Sequence, residues 1–158
     1  MIPLAPIFQD IRDELSRLAE LLTKERLELA QASPQQVLDT AGRKKEILDN
    51  IDKLNAKRIK MLVKFGILDA KKPSDAKFKA WLAQQDNLDD VKALIKECDE
   101  LLEVCKKDNN TNMLILGTVQ RRTQTMLEMM QGHSRKNRIY TPSGGTKPVS
   151  SKHTLGRA

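Results

Sequence analysis

The chain has few aromatic residues, few histidines and cysteines, and no long apolar run. Its 158 residues include three Phe, one Trp, one Tyr, two His and two Cys. Because about 18 consecutive apolar residues are needed to cross a bilayer and none occur here, no membrane insertion is expected. The first ten residues lack both the basic stretch and the apolar run of a signal peptide, which predicts a cytoplasmic location.

The residues that most often carry catalysis or bind metals are poorly placed here. His133 and His153 both lie in the C-terminal tail, where nothing would hold them against a nucleophile or a metal. Cys98 and Cys105 share one helix face about 10 Å apart, too far for a disulfide, and no metal-ligand pattern surrounds them. We therefore expect no enzyme activity, no metal and no cofactor, and we interpret the cysteines as small core residues.

A regular apolar spacing dominates the second half of the chain. Apolar and small residues recur in steps of three and four from Leu88 to Met130, which predicts a single long helix with a buried seam. Asn109 and Asn112 interrupt the seam. Such polar positions cost stability and fix register or oligomeric state. Alternatively, they mark where the long helix stops being covered by its neighbours.

Two further long helices precede this one, over residues 4–31 and 34–66, and the short link between them makes them antiparallel neighbours. Glu25 is the one polar position in the seam of the first helix. The amphipathic pattern of residues 75–85 predicts a short helix, and we interpret Trp81 on this helix as an apolar plug over the end of the bundle. The fold class is therefore all-α: an antiparallel bundle of three long helices with a short connecting helix and a flexible C-terminal tail.

The charge distribution separates the bundle from the tail. The chain has a net charge of +7. Residues 132–158 contain six Lys or Arg and no acid, whereas residues 1–131 are close to neutral, with 22 basic and 21 acidic side chains. We therefore expect a bundle domain over 1–131, with no excess charge to attract nucleic acid, and a flexible basic tail over 132–158 that takes part in partner binding.

The end of the third long helix is the candidate binding surface. That helix has about 43 residues and the first two about 28 and 33, so its last turns overhang if all three begin flush. Exposed apolar side chains with adaptable methionines suit a helical ligand, unless the short helix or a second copy covers them. The candidate residues are Leu116, Val119, Met126, Leu127, Met129 and Met130. Tyr140, a single tyrosine in a basic tail, is a candidate anchor for a partner.

Several short segments together resemble the FlgN family of flagellar export chaperones, over nearly the whole chain. They are Leu22-Thr23-Lys24-Glu25, Arg58-Ile59-Lys60-Met61-Leu62 before Gly66, Trp81-Leu82, Cys105-x-x-x-Asn109-x-x-Asn112, and Ile139-Tyr140 before Gly144. The mid-helix Asn-x-x-Asn element is the most specific of these, and the others also occur in many helical bundles.

The resemblance implies a cytoplasmic, non-enzymatic chaperone of the hook-associated proteins that join hook and filament. It would bind their terminal helical segments, prevent premature assembly and deliver them to the flagellar type III export gate. The client-binding residues would be the six candidate residues above together with Ile139. Tyr140 would contact the cytoplasmic domain of the export-gate protein.

Two other functions are compatible with the sequence. One is a coiled-coil protein with a basic nucleic-acid-binding arm, although nucleic acid is not the partner we expect. The other is an adaptor whose third helix pairs with a second copy of itself. A steep loss of affinity with salt would distinguish phosphate contacts from an apolar helix groove.

Overall fold

Four helices make up most of the residues that the structure describes. A computed structural model describes residues 2–31 and 33–132, and the backbone alone of 138–140 and 146–148. The helices are α1 (Leu4–Ala30), α2 (Pro34–Lys64), α3 (Asp75–Ala83) and α4 (Asp89–Met130). The expectation of an all-α bundle with three long helices and one short connecting helix is confirmed.

Two short strands follow the helices. They are β1 (Arg138–Tyr140) and β2 (Thr146–Pro148), which pair antiparallel with Ile139 opposite Lys147. Three-residue strands are too short to produce a recognisable alternation of apolar and polar residues, and this pair was not predicted.

Local chemistry sets the end of α2. Gly66 adopts a φ of +72°, which residues with a Cβ rarely tolerate. The chain then folds back, because the N–H groups of Phe65 and Ile67 donate to the carbonyls of Met61 and Leu62 at 3.1 and 2.9 Å. This arrangement satisfies carbonyl groups of the last helical turn and directs the chain towards α3.

The helices α1 and α4 run parallel, with a constant separation of 90 residues. Three α4 side chains donate to main-chain oxygens of α1, and we call these contacts the α4-to-α1 ladder. They are Cys98 Sγ to Phe8 O at 3.5 Å, Cys105 Sγ to Leu15 O at 3.5 Å, and Asn112 Nδ2 to Leu22 O at 2.8 Å. Each step is seven residues in both helices, so two turns of α1 advance together with two turns of α4.

The helix α2 runs antiparallel to α1, as the short link predicts. Thr40 bonds Glu28 while Lys44, one turn further along α2, bonds Glu25, earlier in α1.

The main core cluster lies where the start of α1, the end of α2, α3 and the start of α4 meet. Its buried members are Leu4, Phe8, Leu15, Leu62, Leu68, Phe78, Leu82, Val91, Leu94, Ile95 and Cys98. A second, smaller cluster is formed by Leu18, Leu22 and Cys105. The core is therefore aliphatic, with a few aromatic side chains at one end.

An aromatic stack attaches α3 to this core. The Phe8 and Phe78 ring centroids are 6.0 Å apart, and those of Phe78 and Trp81 are 6.2 Å apart. The Arg58 guanidinium lies 5.5 Å from the Phe78 centroid and pairs with Asp75 at 3.0 Å. Trp81 is half-buried and packs against the main cluster, in agreement with the plug inferred from the sequence.

The chain divides into two compact units, Met1–Ile115 and Leu116–Ala158. The first unit contains the core clusters, and the second contains the last turns of α4 and the two strands. The division into a 1–131 bundle domain and a 132–158 tail remains a prediction.

Candidate functional site

A buried polar layer crosses the first unit. Asn112 is 1 % exposed and donates from Nδ2 to Leu22 O and to Glu25 Oε1, at 2.8 and 3.0 Å. Its Oδ1 accepts from Arg26 Nε at 3.1 Å, and Arg26 also pairs with Asp108 at 3.0 Å. Both ends of the Asn112 amide are therefore hydrogen-bonded, as burial of an amide requires.

Helix α2 completes the same layer. Lys44 Nζ donates to Glu25 Oε2 at 2.9 Å and to Asn109 Oδ1 at 3.3 Å. Thr40, 2 % exposed, donates to Glu28 Oε2 at 2.6 Å. We call the six residues Glu25, Glu28, Thr40, Lys44, Asn109 and Asn112 the polar layer. Because its members come from all three long helices, the layer fixes their mutual register.

The polar layer bears on both interpretations of the asparagines. The burial of Asn112 against Leu22 and Glu25 shows that α1 covers α4 at this point, and it explains the polar Glu25 in the seam of α1. No α4 residue from Met113 to Leu127 is buried, so Asn112 is also the last buried position of α4 in the first unit. A part in fixing register and a place at the end of the covered stretch are therefore compatible.

The two cysteines are inert core residues. Both are free and buried, and each donates weakly to a carbonyl of α1. Burial raises the pKa of Cys98 to about 11 and also raises the pKa of Cys105, which suppresses the thiolate needed for nucleophilic or metal chemistry. Within residues 2–31 and 33–132, no group of three or more His, Cys, Asp or Glu could hold a metal ion.

The candidate client surface lies at the end of α4, within the second unit. At 100° per residue, its six apolar residues occupy an arc of about 160° around the helix. We call them the methionine stripe: Leu116, Val119, Met126, Leu127, Met129 and Met130. Leu116 and Val119 are half-buried, whereas Met126, Leu127, Met129 and Met130 are 63, 46, 72 and 78 % exposed.

One polar residue on the opposite side of this helical segment is buried. Glu128 is 7 % exposed, and its Oε1 accepts from Gln124 Nε2 at 3.2 Å. Glu128 points away from the centre of the methionine stripe, as its position along the helix requires. Arg121, Gln124 and Thr125 lie on the same side as Glu128 and are exposed, so the stripe is the apolar part of a helix surface that is exposed on most sides.

The remaining candidate residues lie in β1. The backbone of Ile139 is opposite Lys147 and that of Tyr140 is opposite Thr146. Their side chains lie outside the described part of the structure, as do His133 and His153. The structure therefore groups six of the eight candidate residues on one helix face.

Fold and surface together define an all-α bundle protein with an exposed apolar helix face. No helix in the described part of the chain is long and apolar enough to cross a membrane. The family model described as FlgN protein matches residues 4–148, so the chain belongs to the FlgN family, whose members are flagellar export chaperones. The resemblance read from the short segments is thereby confirmed. No curated protein and no solved structure matches the chain.

Proposed function

We propose that this chaperone binds the terminal helical segments of hook-associated proteins through the methionine stripe. It holds each client unassembled in the cytoplasm and delivers it to the flagellar type III export gate. The proposal rests mainly on one observation, the exposure of four large apolar side chains between Met126 and Met130.

The chemistry of the stripe suits an amphipathic helix as ligand. The six apolar residues span an arc of about 160°, which also contains Arg122 and Thr123, and this arc is as wide as the apolar face of a helix that normally packs into an assembly. Methionine side chains are unbranched and polarizable, so they adapt to clients of different shape. Client binding also removes from water the apolar surface that would otherwise favour self-association of chaperone and client alike.

We further propose that the protein acts by binding alone, without catalysis or a cofactor. Capture and release then depend on two affinities for the client, that of the stripe and that of the partner to which the client passes next. A micromolar dissociation constant corresponds to about 8 kcal/mol, which is strong enough to hold a client and weak enough to release it. Ile139 extends the client surface in this proposal, and Tyr140 contacts the export gate.

A calorimetric titration tests the client surface. The titrant is the C-terminal helical segment of a hook-associated protein, and the variant is Leu127→Asp. A charge in the middle of the stripe should weaken binding at least tenfold, because the carboxylate loses its water when the client docks. Leu38→Asp is the matched control: Leu38 is 67 % exposed on α2, outside the stripe, and should leave binding unchanged.

Two further measurements complete this test. Wild-type binding should survive 0.5 M salt, and it should weaken in a chain ending at Gln131, which lacks Ile139. Equal affinity in the folded Leu127→Asp variant and the wild type would rule out the stripe. If the client does not bind and DNA binds tightly with a steep salt dependence, the basic-arm function would replace this one.

A further inference from the structure

The near-neutral bundle contains a strong internal segregation of charge. Residues 53–79 carry nine Lys or Arg and only two Asp, a net charge of +7. The rest of the bundle, 1–52 and 80–131, carries 13 basic and 19 acidic side chains. The near-zero net charge of residues 1–131 therefore conceals one strongly basic region. This region is formed by the last turns of α2, the connection to α3 and most of α3.

Lysines follow one face of the last turns of α2. Lys57, Lys60 and Lys64 are spaced by three and four residues, so they lie one above another along the helix. The buried residues Thr40 and Leu62 lie on the opposite face, and all three lysines are exposed. Without opposite charges between them, like charges at this spacing repel one another, which costs stability.

Six lysines of this region have no ion pair within the described residues. We call them the basic end: Lys57, Lys60, Lys64, Lys71, Lys72 and Lys77. The other cations of the region are compensated. Arg58 pairs with Asp75 and Lys79 with Asp99, at 3.0 and 3.4 Å. Lys53 lines a cleft that also contains several carboxylates of α1.

An exposed aromatic side chain follows the last lysine of α2. Phe65 follows Lys64 directly at the end of α2 and is 47 % exposed. The positive φ of Gly66 turns the chain immediately afterwards. An exposed apolar ring in a segment rich in lysine has the composition of surfaces that rest on lipid headgroups, where the ring enters the interface and the ammonium groups bind phosphates.

We propose that the basic end binds peripherally to the surface of an anionic phospholipid bilayer. The charge is complementary to such a surface, and clusters of four to eight Lys or Arg are typical of its ligands. The proposal does not depend on which client the methionine stripe binds, because the stripe lies in the other unit of the chain.

A lipid surface fits these residues better than nucleic acid does. All six unpaired cations are lysines, which act as point charges and lack the bidentate geometry that arginine offers to phosphates and guanine. Arg58, the one arginine of the region, is 12 % exposed and covers the Phe8 and Phe78 rings. The basic end therefore offers charge without the groups that read bases.

Vesicle flotation with the full-length chain tests the proposal. The probes are phosphatidylcholine vesicles with and without about one-third phosphatidylglycerol. The wild type should bind only the anionic vesicles and should dissociate in 0.5 M salt, which shortens the screening length to a few ångström. Each lysine contributes about five-fold to partitioning, so the triple variant Lys57→Gln, Lys60→Gln, Lys64→Gln should lose about 100-fold.

A matched triple variant separates local from total charge. Arg43→Gln, Lys45→Gln and Lys107→Gln remove the same charge from exposed positions outside the basic end. This control loses the same net charge as the Lys57, Lys60, Lys64 variant, so the two variants differ only in where the charge is removed. Because the basic end is intact in the control, its binding should stay within about five-fold of the wild type. Phe65→Ala should weaken binding to anionic vesicles several-fold without changing its salt dependence.

Three outcomes would overturn the proposal. The first is equal loss in both triple variants, which would indicate only non-specific attraction. The second is full binding by the Lys57, Lys60, Lys64 variant, which would assign the affinity to the basic tail. The third is that the wild type binds DNA more tightly than anionic vesicles and that the Lys57, Lys60, Lys64 variant no longer binds DNA, which would make nucleic acid the ligand. Thermal melts establish in advance that each variant is folded.

Discussion

Asn112 Nδ2 lies 3.0 Å from Glu25 Oε1, so the residues that interrupt the apolar seams of α4 and α1 are hydrogen-bond partners. They are 87 positions apart in the chain, and each satisfies the buried polar group of the other. Lys44 neutralises the Glu25 carboxylate from α2 at 2.9 Å. Two apparent defects in the helix patterns are therefore one feature, and its stability depends on every member being present.

Removing Asn112 should be costly. Asn112→Ala removes the side-chain donor to Leu22 O, one of the two donors to Glu25 Oε1 and the acceptor of Arg26 Nε, and it also creates a cavity. We expect a loss of roughly 2–4 kcal/mol in the free energy of unfolding, measured by urea titration. Asn110→Ala, at an exposed position on the same helix, should change it by less than about 0.5 kcal/mol. Equal effects of the two substitutions would contradict a cooperative polar layer.

Arg58 should hold α3 in place through its planar group. Arg58→Lys keeps the charge near Asp75 but loses stacking over Phe8 and Phe78, and we expect a loss of about 1 kcal/mol in the free energy of unfolding. Trp81, the only tryptophan of the chain, lies next in the stack, so its emission should shift to the red.

The neighbouring Lys57→Arg is the control for this prediction, because Lys57 is exposed. It should change neither stability nor emission. An unchanged emission maximum in the folded Arg58→Lys variant would show that the cation is not needed for the aromatic stack.

Cys98 should make folding sensitive to alkaline pH. Burial raises its pKa from 9.0 to about 11, so the folded state holds the proton more tightly than the unfolded chain does. The resulting stabilisation is complete below pH 9 and is lost as pH rises from about 9 to 11, by on the order of 1–2 kcal/mol. Cys98→Ser has no titrating group in this range and can still donate to Phe8 O.

The measurement for this prediction is urea unfolding at pH 8, 9, 10 and 11 for both proteins. As pH rises, the free energy of unfolding of the wild type should fall relative to that of the Cys98→Ser variant. Parallel curves for the two proteins would show that the Cys98 thiol titrates normally in the folded state.

Tyr140 should separate delivery from capture. If it contacts the export gate, Tyr140→Ala leaves client affinity unchanged and weakens binding to the cytoplasmic domain of the gate protein at least several-fold. Tyr140→Phe should show how much of that effect comes from the hydroxyl group. Equal losses towards client and gate, in parallel titrations, would indicate one merged site instead of two.

Helix limits were readable from the sequence because caps and periodicity are local properties. The spacing from Leu88 to Met130 predicted α4 to within one residue of its observed start, and Gly66 marked the end of α2. The short helix beginning at Asp75 was also predicted, from its amphipathic pattern, and in the structure Ser74 caps it by accepting a bond from the N–H of Lys77 at 3.5 Å.

Pairings between helices were not readable in the same way. Glu25 and Asn112 looked like separate anomalies because their contact depends on the parallel register of α1 and α4, which only packing reveals. The basic end was missed for a different reason: summing charge over residues 1–131 averaged a strongly basic region against two acidic ones. Charge must therefore be counted by region of the fold rather than by domain.

The α4-to-α1 ladder restricts how the length of these helices can change. A single-residue deletion between Cys98 and Asn112 would rotate every later side chain by 100° and move it 1.5 Å along the axis. Only a seven-residue change made in α1 and α4 together would preserve the repeating contacts. Homologues of different length should therefore differ at helix ends and connections, and the paired interior of α1 and α4 should keep a fixed residue count.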